Sequence, residues 1–246
     1  MADETPSPAR SRSETEPKLD VDTLVSGAVA TFAALADPDK AKPMTTYLKD
    51  QFEFFGVQAG PRRQAQRGVV KELADASPEQ LLAFADACWQ RPQRELHYLA
   101  CDSLRKYSAR LTADHLPAVE TLITTNSWWD TVDSLAAYVV GAIVGSDRSQ
   151  VAVMDVWIND PNLWRARTAI LHQLSYKEST DAERLFHYCR QRADDTEFFI
   201  RKALGWALRQ YARVAPDEVR AFVTTHDKEL SGLTKREAMR WIKVAP

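Results

Sequence analysis

A small residue recurs along this chain at intervals of 34 or 35 positions. It occurs at Ala65, Ala100, Ser134, Ala169, Ala203 and Ala238, and an apolar residue follows it in every unit except the first. Repeats of this length hold two helices and two turns, and they build α-solenoids in which each unit packs against its neighbours. Only 8 of the 246 residues are glycine, and no segment alternates apolar with polar residues, which weighs against a sheet. The sequence therefore predicts an all-α protein, an α-solenoid of about six helical hairpins.

One stripe of the second helix in each hairpin is mostly polar. Residues four apart share a helix face, so the positions five before, one before and three after the small residue form one stripe. Just before the small residue the chain places Gln64, Asp133, Thr168, Lys202 and Glu237, with Leu99 as the exception. The same stripe carries Trp129, Trp206 and Trp241. Because aromatic side chains among acids and bases are typical of a binding surface, we expect this stripe to line the concave wall of the solenoid.

Basic residues occupy the first turns of three successive second helices. They are Arg165, Arg167, Arg201, Lys202, Lys235 and Arg236. Helix N-termini favour anions, so stacked N-termini reinforced by cations would bind a polyanion such as the phosphates of a nucleic acid. The formal net charge of the chain is only −2, so such binding requires cations sorted onto one face. In the alternative, these side chains lie along the edge of the core and pair with acids of a neighbouring repeat.

Asp133 is an acid on a surface otherwise rich in cations, and it shares a helix face with Trp129. One hypothesis is a structural salt bridge with Arg167 in the next repeat. The other is a carboxylate aimed at a cationic substrate or transition state. The periodicity leaves both hypotheses open.

Five segments spread over most of the chain carry a more specific pattern. They read PMTTYLKDQFEFFGVQAGPRR at residues 43–63, SWWDTVDS at 127–134, WRARTAILHQLSYK at 164–177, FFIRKALGWALRQYA at 198–212 and LTKREAMRWIK at 233–243. In this order they resemble the DNA alkylation repair glycosylases of the AlkD type. The resemblance extends over roughly residues 24–245.

This resemblance implies a HEAT-like solenoid with a concave DNA-binding face that excises N3- and N7-alkylated purines from duplex DNA. It implies that Asp133 is the catalytic carboxylate, with Trp129 and Trp206 beside it. It also implies that Arg167 and Tyr47 contact the DNA around the lesion. An alkylated purine is already cationic, so its departure needs no general acid. Asp133 would stabilise positive charge on the sugar and orient water, while the indole faces attract the same cation.

The remaining expectations concern the setting of this activity. Residues 1–20 predict a disordered tail, followed by a single HEAT-like repeat domain at 21–246. The three cysteines lack metal-binding spacing, and no phosphate-loop or serine-hydrolase motif occurs, so we expect neither metal nor cofactor.

We also expect a monomer whose partner is double-stranded DNA containing alkylated purines, with no membrane partner because no apolar run is long enough to span a bilayer. The expected location is the cytoplasm, at the nucleoid when the protein is bound to DNA. The alternative function is a non-catalytic HEAT-like scaffold that binds DNA or other proteins.

Overall fold

The structure, a computed structural model, describes residues 19–242. These residues contain no strand, only an isolated bridge between Glu53 and Gln93. The α-helices are α1 Val21–Ala34, α2 Pro38–Tyr47, α3 Ala59–Ala65, α4 Arg67–Glu72, α5 Pro78–Trp89, α6 Arg94–Lys106, α7 Leu116–Thr124, α8 Trp129–Ser134, α9 Gly141–Ser146, α10 Val151–Trp157, α11 Leu163–Leu171, α12 Ala182–Gln191, α13 Phe198–Tyr211, α14 Pro216–Thr225 and α15 Gly232–Ala238. Short 3₁₀ turns lie between them, at Leu73–Asp75, Ser108–Arg110, Ala113–His115, Arg148–Gln150 and Lys177–Ser179. The predicted all-α fold is confirmed.

The helices pair into six hairpins along residues 19–242. Their first helices are α1, α5, α7, α10, α12 and α14, and their second helices are α3, α6, α8, α11, α13 and α15. Every recurring small residue lies in a second helix, and those in α6, α11, α13 and α15 are buried. Consecutive second helices pack directly on each other, most closely α11 on α13 and α13 on α15. The repeat in the sequence is therefore the repeat of the fold.

A close approach between α13 and α15 requires glycine at position 205. A Cβ atom on Gly205 would lie 2.5 Å from the Cβ of Glu237 and 2.8 Å from the carbonyl oxygen of Thr234. Any larger residue would push the two helices apart. Trp206 directly follows Gly205 in α13, so the close contact between the two helices also restricts the position of the Trp206 side chain.

A π-helical segment, Leu135–Val140, joins α8 to α9. Two side chains from the loop after α11 bind backbone carbonyls along this joint. The Ser175 hydroxyl donates to the Ala137 carbonyl at 3.0 Å, and the Tyr176 hydroxyl donates to the Gly141 carbonyl at 2.7 Å. Such segments are rare and frequent at functional sites, because they change which side chains share a helix face.

The first helix begins at the predicted domain boundary, but two residues before it also belong to the fold. Asp20, which we expected in the tail, caps α1 by accepting from the Thr23 amide at 3.0 Å, and Leu19 packs against the core. A carboxylate at this position satisfies an N–H group that the helix leaves free, which ties Asp20 to the fold. The rest of the expected tail, residues 1–18, lies outside the described residues, as do residues 243–246. No helix within residues 19–242 is long and apolar enough to cross a membrane.

Candidate functional site

A cleft of about 850 Å³ opens along the second helices of the hairpins. Its walls come from α3, α6, α8, the π-helical segment, the loop after α11, and α13. The charged, polar and aromatic side chains that line it include Arg63, Tyr98, Arg105, Trp129, Asp130, Asp133, Tyr138, Lys177, Trp206, Gln210 and Arg213. The volume falls within the range of roughly 300–1,000 Å³ that is usual for ligand sites.

The structure brings together four of the residues that the sequence singled out. Trp129, Asp133 and Trp206 all line the cleft. Tyr47 stands at its rim, 69% exposed, with its ring edge-on to Trp129 at a centroid distance of 5.9 Å. Because α8 carries Trp129 and Asp133 one turn apart and α13 carries Trp206, the carboxylate lies in a cleft that has indole rings on two walls.

Asp133 and Arg167 form a two-point ion pair between α8 and α11. The Arg167 Nε donates to Asp133 Oδ1 at 2.7 Å, and Nη2 donates to Oδ2 at 2.8 Å. The Nη1 group donates to the Phe199 carbonyl. The Arg167 side chain is 3% exposed, whereas that of Asp133 is 13% exposed toward the cleft. We expected the Arg167 guanidinium to contact a DNA phosphate. In the structure it donates two parallel hydrogen bonds to the Asp133 carboxylate instead.

Two opposing influences set the charge of Asp133. Burial raises the pKa of its carboxyl above the usual value, and the nearby Asp130 carboxylate adds to that rise. The Arg167 guanidinium opposes it, by its charge and by its two hydrogen bonds. Arg167 is therefore the group that opposes the effect of burial on this carboxyl and favours its charged form.

The predicted row of first-turn cations is largely neutralised. Arg165 pairs with Glu120 at 2.7 Å, and Lys235 pairs with Asp227 at 2.7 Å. Of the six, Arg236 is exposed and has no acidic partner among the residues that the structure describes. The ion-pair alternative is thus the arrangement seen for most of them, because acids distant in sequence lie beside these helix ends.

The predicted polar stripe is only partly exposed. Thr168 is completely buried, and its hydroxyl donates to the Trp164 carbonyl of its own helix at 2.8 Å. Lys202 and Glu237 bind each other at 2.5 Å, which places an ion pair between α13 and α15. Arg201 lies close by and donates from Nε to the Asp195 carbonyl at 2.5 Å. None of these four stripe or first-turn residues lines the cleft.

Four exposed cations, which sequence reasoning did not select as site residues, do line the cleft. Arg63, Arg105, Lys177 and Arg213 are exposed, and within residues 19–242 no carboxylate pairs with any of them. The Arg105 guanidinium stacks on Tyr138 at 3.5 Å, and that of Arg213 lies 4.9 Å from the Trp241 ring. Lys177 occupies a left-handed backbone conformation, with φ of 53°.

Only Arg63 could have been found from the repeat pattern, since it lies two positions before the small residue, where later units have Arg167, Arg201 and Arg236. Arg105, Lys177 and Arg213 lie at helix ends and turns, where residues do not recur at fixed positions of the repeat.

Known families and structures give a consistent picture. The sequence model described as "DNA alkylation repair enzyme" matches residues 28–242. A protein from Enterococcus faecalis, described as a predicted DNA alkylation repair enzyme, is 29% identical, with a TM-score of 0.78 over 85% of this chain and 98% of that one. AlkD2 from Streptococcus mutans shares the fold at 16% identity, with a TM-score of 0.60 over 83% of this chain and 100% of that one. No curated protein matches the sequence.

Proposed function

The chain belongs to the DNA alkylation repair enzyme family, and on that premise we propose that it is a DNA glycosylase of the HEAT-like repeat type, which excises N3- and N7-alkylated purines from duplex DNA. The family places the protein in the repair of alkylated DNA. The proposal adds the reaction, hydrolysis of the N-glycosidic bond, as the first step of base excision. We also propose that a single domain carries out the reaction and that the protein acts as a monomer.

One observation carries this proposal: a carboxylate, held by a two-point pair with Arg167, that faces an aromatic cleft. An N-alkylated purine leaves as a neutral base, so the costly event is positive charge developing on the deoxyribose. A fixed carboxylate such as Asp133 stabilises that charge and orients the attacking water. Trp129 and Trp206 present π faces that attract the cationic purine. One acid is then sufficient where ordinary glycosidases use two.

Arg167 acts on this chemistry through Asp133. All three nitrogens of its guanidinium are hydrogen bonded, to the carboxylate and to the Phe199 carbonyl, and its side chain is almost completely buried. A phosphate would have to break this two-point pair to use the same fork. We therefore replace the expected phosphate contact by a positioning role, in which Arg167 orients the carboxylate and keeps it ionised.

The cleft cations are our first candidates for contacts to the DNA backbone. Arg63, Arg105, Lys177 and Arg213 are exposed beside the carboxylate and carry charge that no acid neutralises among the described residues. Neutralising phosphates releases counterions, which is the main source of duplex affinity. The first-turn cations Arg201, Lys202 and Lys235 remain secondary candidates, since their contacts within the protein compete with phosphate. Arg236 is a secondary candidate because, although exposed, it does not line the cleft.

The test is release of bases from methylated duplex DNA, identified by chromatography. Wild-type protein should release 3-methyladenine or 7-methylguanine, and Asp133→Asn should release little while still binding the duplex. Release equal to wild type by folded Asp133→Asn would remove the carboxylate from the mechanism. A wild-type protein that binds the duplex and releases no base would favour the non-catalytic scaffold, in which the Asp133–Arg167 pair is structural only.

A further inference from the structure

A second buried arginine holds α8 from the preceding repeat. Arg94, at the start of α6, is 0% exposed. Its Nε and Nη2 donate to the two oxygens of Asp130 at 3.1 and 2.6 Å, and Nη2 also donates to the Thr131 hydroxyl at 2.8 Å. Asp130 and Thr131 form the first turn of α8, between Trp129 and Asp133. Arg94 thus binds the N-terminus of α8, the helix that carries Trp129 and Asp133.

Arg94 has no capacity left for any other partner. Its Nη1 donates to His97 Nδ1 at 2.9 Å and to the Asn126 carbonyl at 2.8 Å. With the bonds to α8, all five N–H groups of the guanidinium are used. The Phe52 ring covers one face, 3.7 Å from the guanidinium carbon. Because Arg94 is enclosed in this way, it can influence a bound substrate only through the residues that it holds.

Tyr98 also binds the first turn of α8, from the side of the cleft. Its hydroxyl donates to Asp130 Oδ2 at 2.6 Å, and both residues line the cleft. Burial raises the pKa of this phenol, so it remains a proton donor throughout the physiological range. Asp130 therefore accepts three hydrogen bonds from α6, and its negative charge is compensated beside Asp133.

Residues 129–134 need this support because little else defines the start of their helix. Trp128, at the N-cap position, makes no side-chain capping bond. The helix continues through the π-helical segment into α9, so tertiary contacts are needed mainly to define its first turn. Any rotation of its first turn would move Trp129 and Asp133 together.

We propose that Arg94 is a positioning residue, which through Asp130 and with Tyr98 sets the orientation of Trp129 and Asp133 in the cleft. The proposal rests on the proposed function in one respect, since the rate of base release is one of its two readouts. Arg94 and Arg167 then act as a pair: the first fixes the beginning of α8 from the preceding repeat, and the second fixes its end from the following repeat.

The chain contains a matched control for this arrangement. Arg184 donates to the two oxygens of Asp155 at 3.1 and 3.3 Å, and the Tyr188 hydroxyl donates to Asp155 at 2.6 Å. These three residues join α10 to α12 and do not line the cleft. Tyr188→Phe therefore removes the same kind of hydrogen bond as Tyr98→Phe, from a tyrosine to an aspartate that also pairs with an arginine, away from the candidate site.

The experiment compares Tyr98→Phe with Tyr188→Phe, and Arg94→Lys with Arg184→Lys, in the full chain. We measure the melting temperature, the affinity for methylated duplex, the single-turnover release of 7-methylguanine, and the indole N–H resonance of Trp129 in a ¹⁵N spectrum. We expect Tyr98→Phe to slow release by roughly 5- to 20-fold, because small displacements of catalytic groups are costly. It should also shift the Trp129 resonance while affinity stays near wild type. Tyr188→Phe should change neither the rate nor the resonance.

Arg94→Lys keeps the charge and loses the fork, so it should slow release at least as much as Tyr98→Phe. If it does not fold, the tyrosine pair alone decides. An unchanged rate and an unchanged Trp129 resonance in folded Tyr98→Phe would overturn the proposal, as would equal losses of rate in both tyrosine variants. If the wild-type protein releases no base, the proposed function fails, and the Trp129 resonance alone decides whether Arg94 and Tyr98 position α8.

Discussion

Replacing Arg167 by glutamine should move the acid limb of the pH–rate profile, without abolishing activity at high pH. Glutamine fills similar space and can donate to Asp133, but it lacks the charge that opposes the effect of burial. Burial and Asp130 both raise the pKa of the Asp133 carboxyl, and Arg167 lowers it. With the guanidinium gone, that pKa rises further. The reaction needs the carboxylate form, so base release should disappear at a higher pH than in the wild type.

The size of the change follows from the two bonds that are lost. The Arg167 nitrogens lie 2.7 and 2.8 Å from the carboxylate oxygens, and a hydrogen bond to a charged group contributes about 1.5–3 kcal/mol. Glutamine can restore at most one of the two bonds, so the net loss is about that of one bond, about 1.5–3 kcal/mol. This loss corresponds to a rise of roughly 1 to 2 pH units in the acid limb.

The assay is single-turnover release of 7-methylguanine between pH 5 and pH 9, corrected for spontaneous depurination, for wild type, Arg167→Gln and Arg167→Lys, each at its own saturating duplex concentration. Arg167→Lys keeps the charge without the fork and should show an acid limb between the other two. A variant that loses the same factor of rate at every pH, with its acid limb in place, would refute this reasoning. That result would instead favour a direct contact between Arg167 and the DNA, as the family resemblance implied.

Three further predictions address other parts of the molecule. Asp133→Asn should lower single-turnover release by roughly 10²–10³-fold per folded molecule. It should also lower the free energy of unfolding by about 3–5 kcal/mol, because Arg167 is left buried without its charged partner. The rate of release and denaturant unfolding are measured on one preparation. Lys177→Ala and Arg213→Ala should each reduce the slope of log affinity against log salt by about one, whereas Lys235→Ala, already paired with Asp227, should change it less. Burial lowers the pKa of His97 and His172 to about 4, so each stabilises the fold above its unfolded pKa of 6.5 and loses that contribution as pH falls toward 4. The free energy of unfolding in urea should drop by roughly 2 kcal/mol per histidine between pH 7 and pH 5, and His172→Phe should reduce that drop.

The fold could be predicted from the sequence because the packing contact repeats with the chain. The recurring small residue lies in every second helix, so one register, from Ala65 to Ala238, marks all six of them. The π-helical segment Leu135–Val140 could not be predicted in this way. The hydroxyls of Ser175 and Tyr176, in the following repeat, donate to a carbonyl within it and to the carbonyl just after it, and no periodicity predicts these contacts.

The candidate site was predictable only where its residues follow the same register. Trp129, Asp133 and Trp206 stand at fixed repeat positions, and they do line the cleft. The predicted cation row did not allow for acids from other parts of the chain. Asp227 lies 8 positions before Lys235 in the sequence, in a turn whose path no periodicity defines. Charge on a helix face can be predicted from spacing, whereas its neutralisation depends on tertiary contacts.

The two hypotheses that the sequence left open for Asp133 are compatible in the structure. A carboxylate offers about four lone-pair sites, and the fork of Arg167 occupies two of them. The side chain remains 13% exposed, and it lines the cleft between the two indole rings. The lone pairs that Arg167 leaves free are the ones available to a water molecule or to a developing sugar cation. An unpaired carboxyl this buried would tend to take up a proton, so the salt bridge supplies the charge on which the proposed catalysis depends.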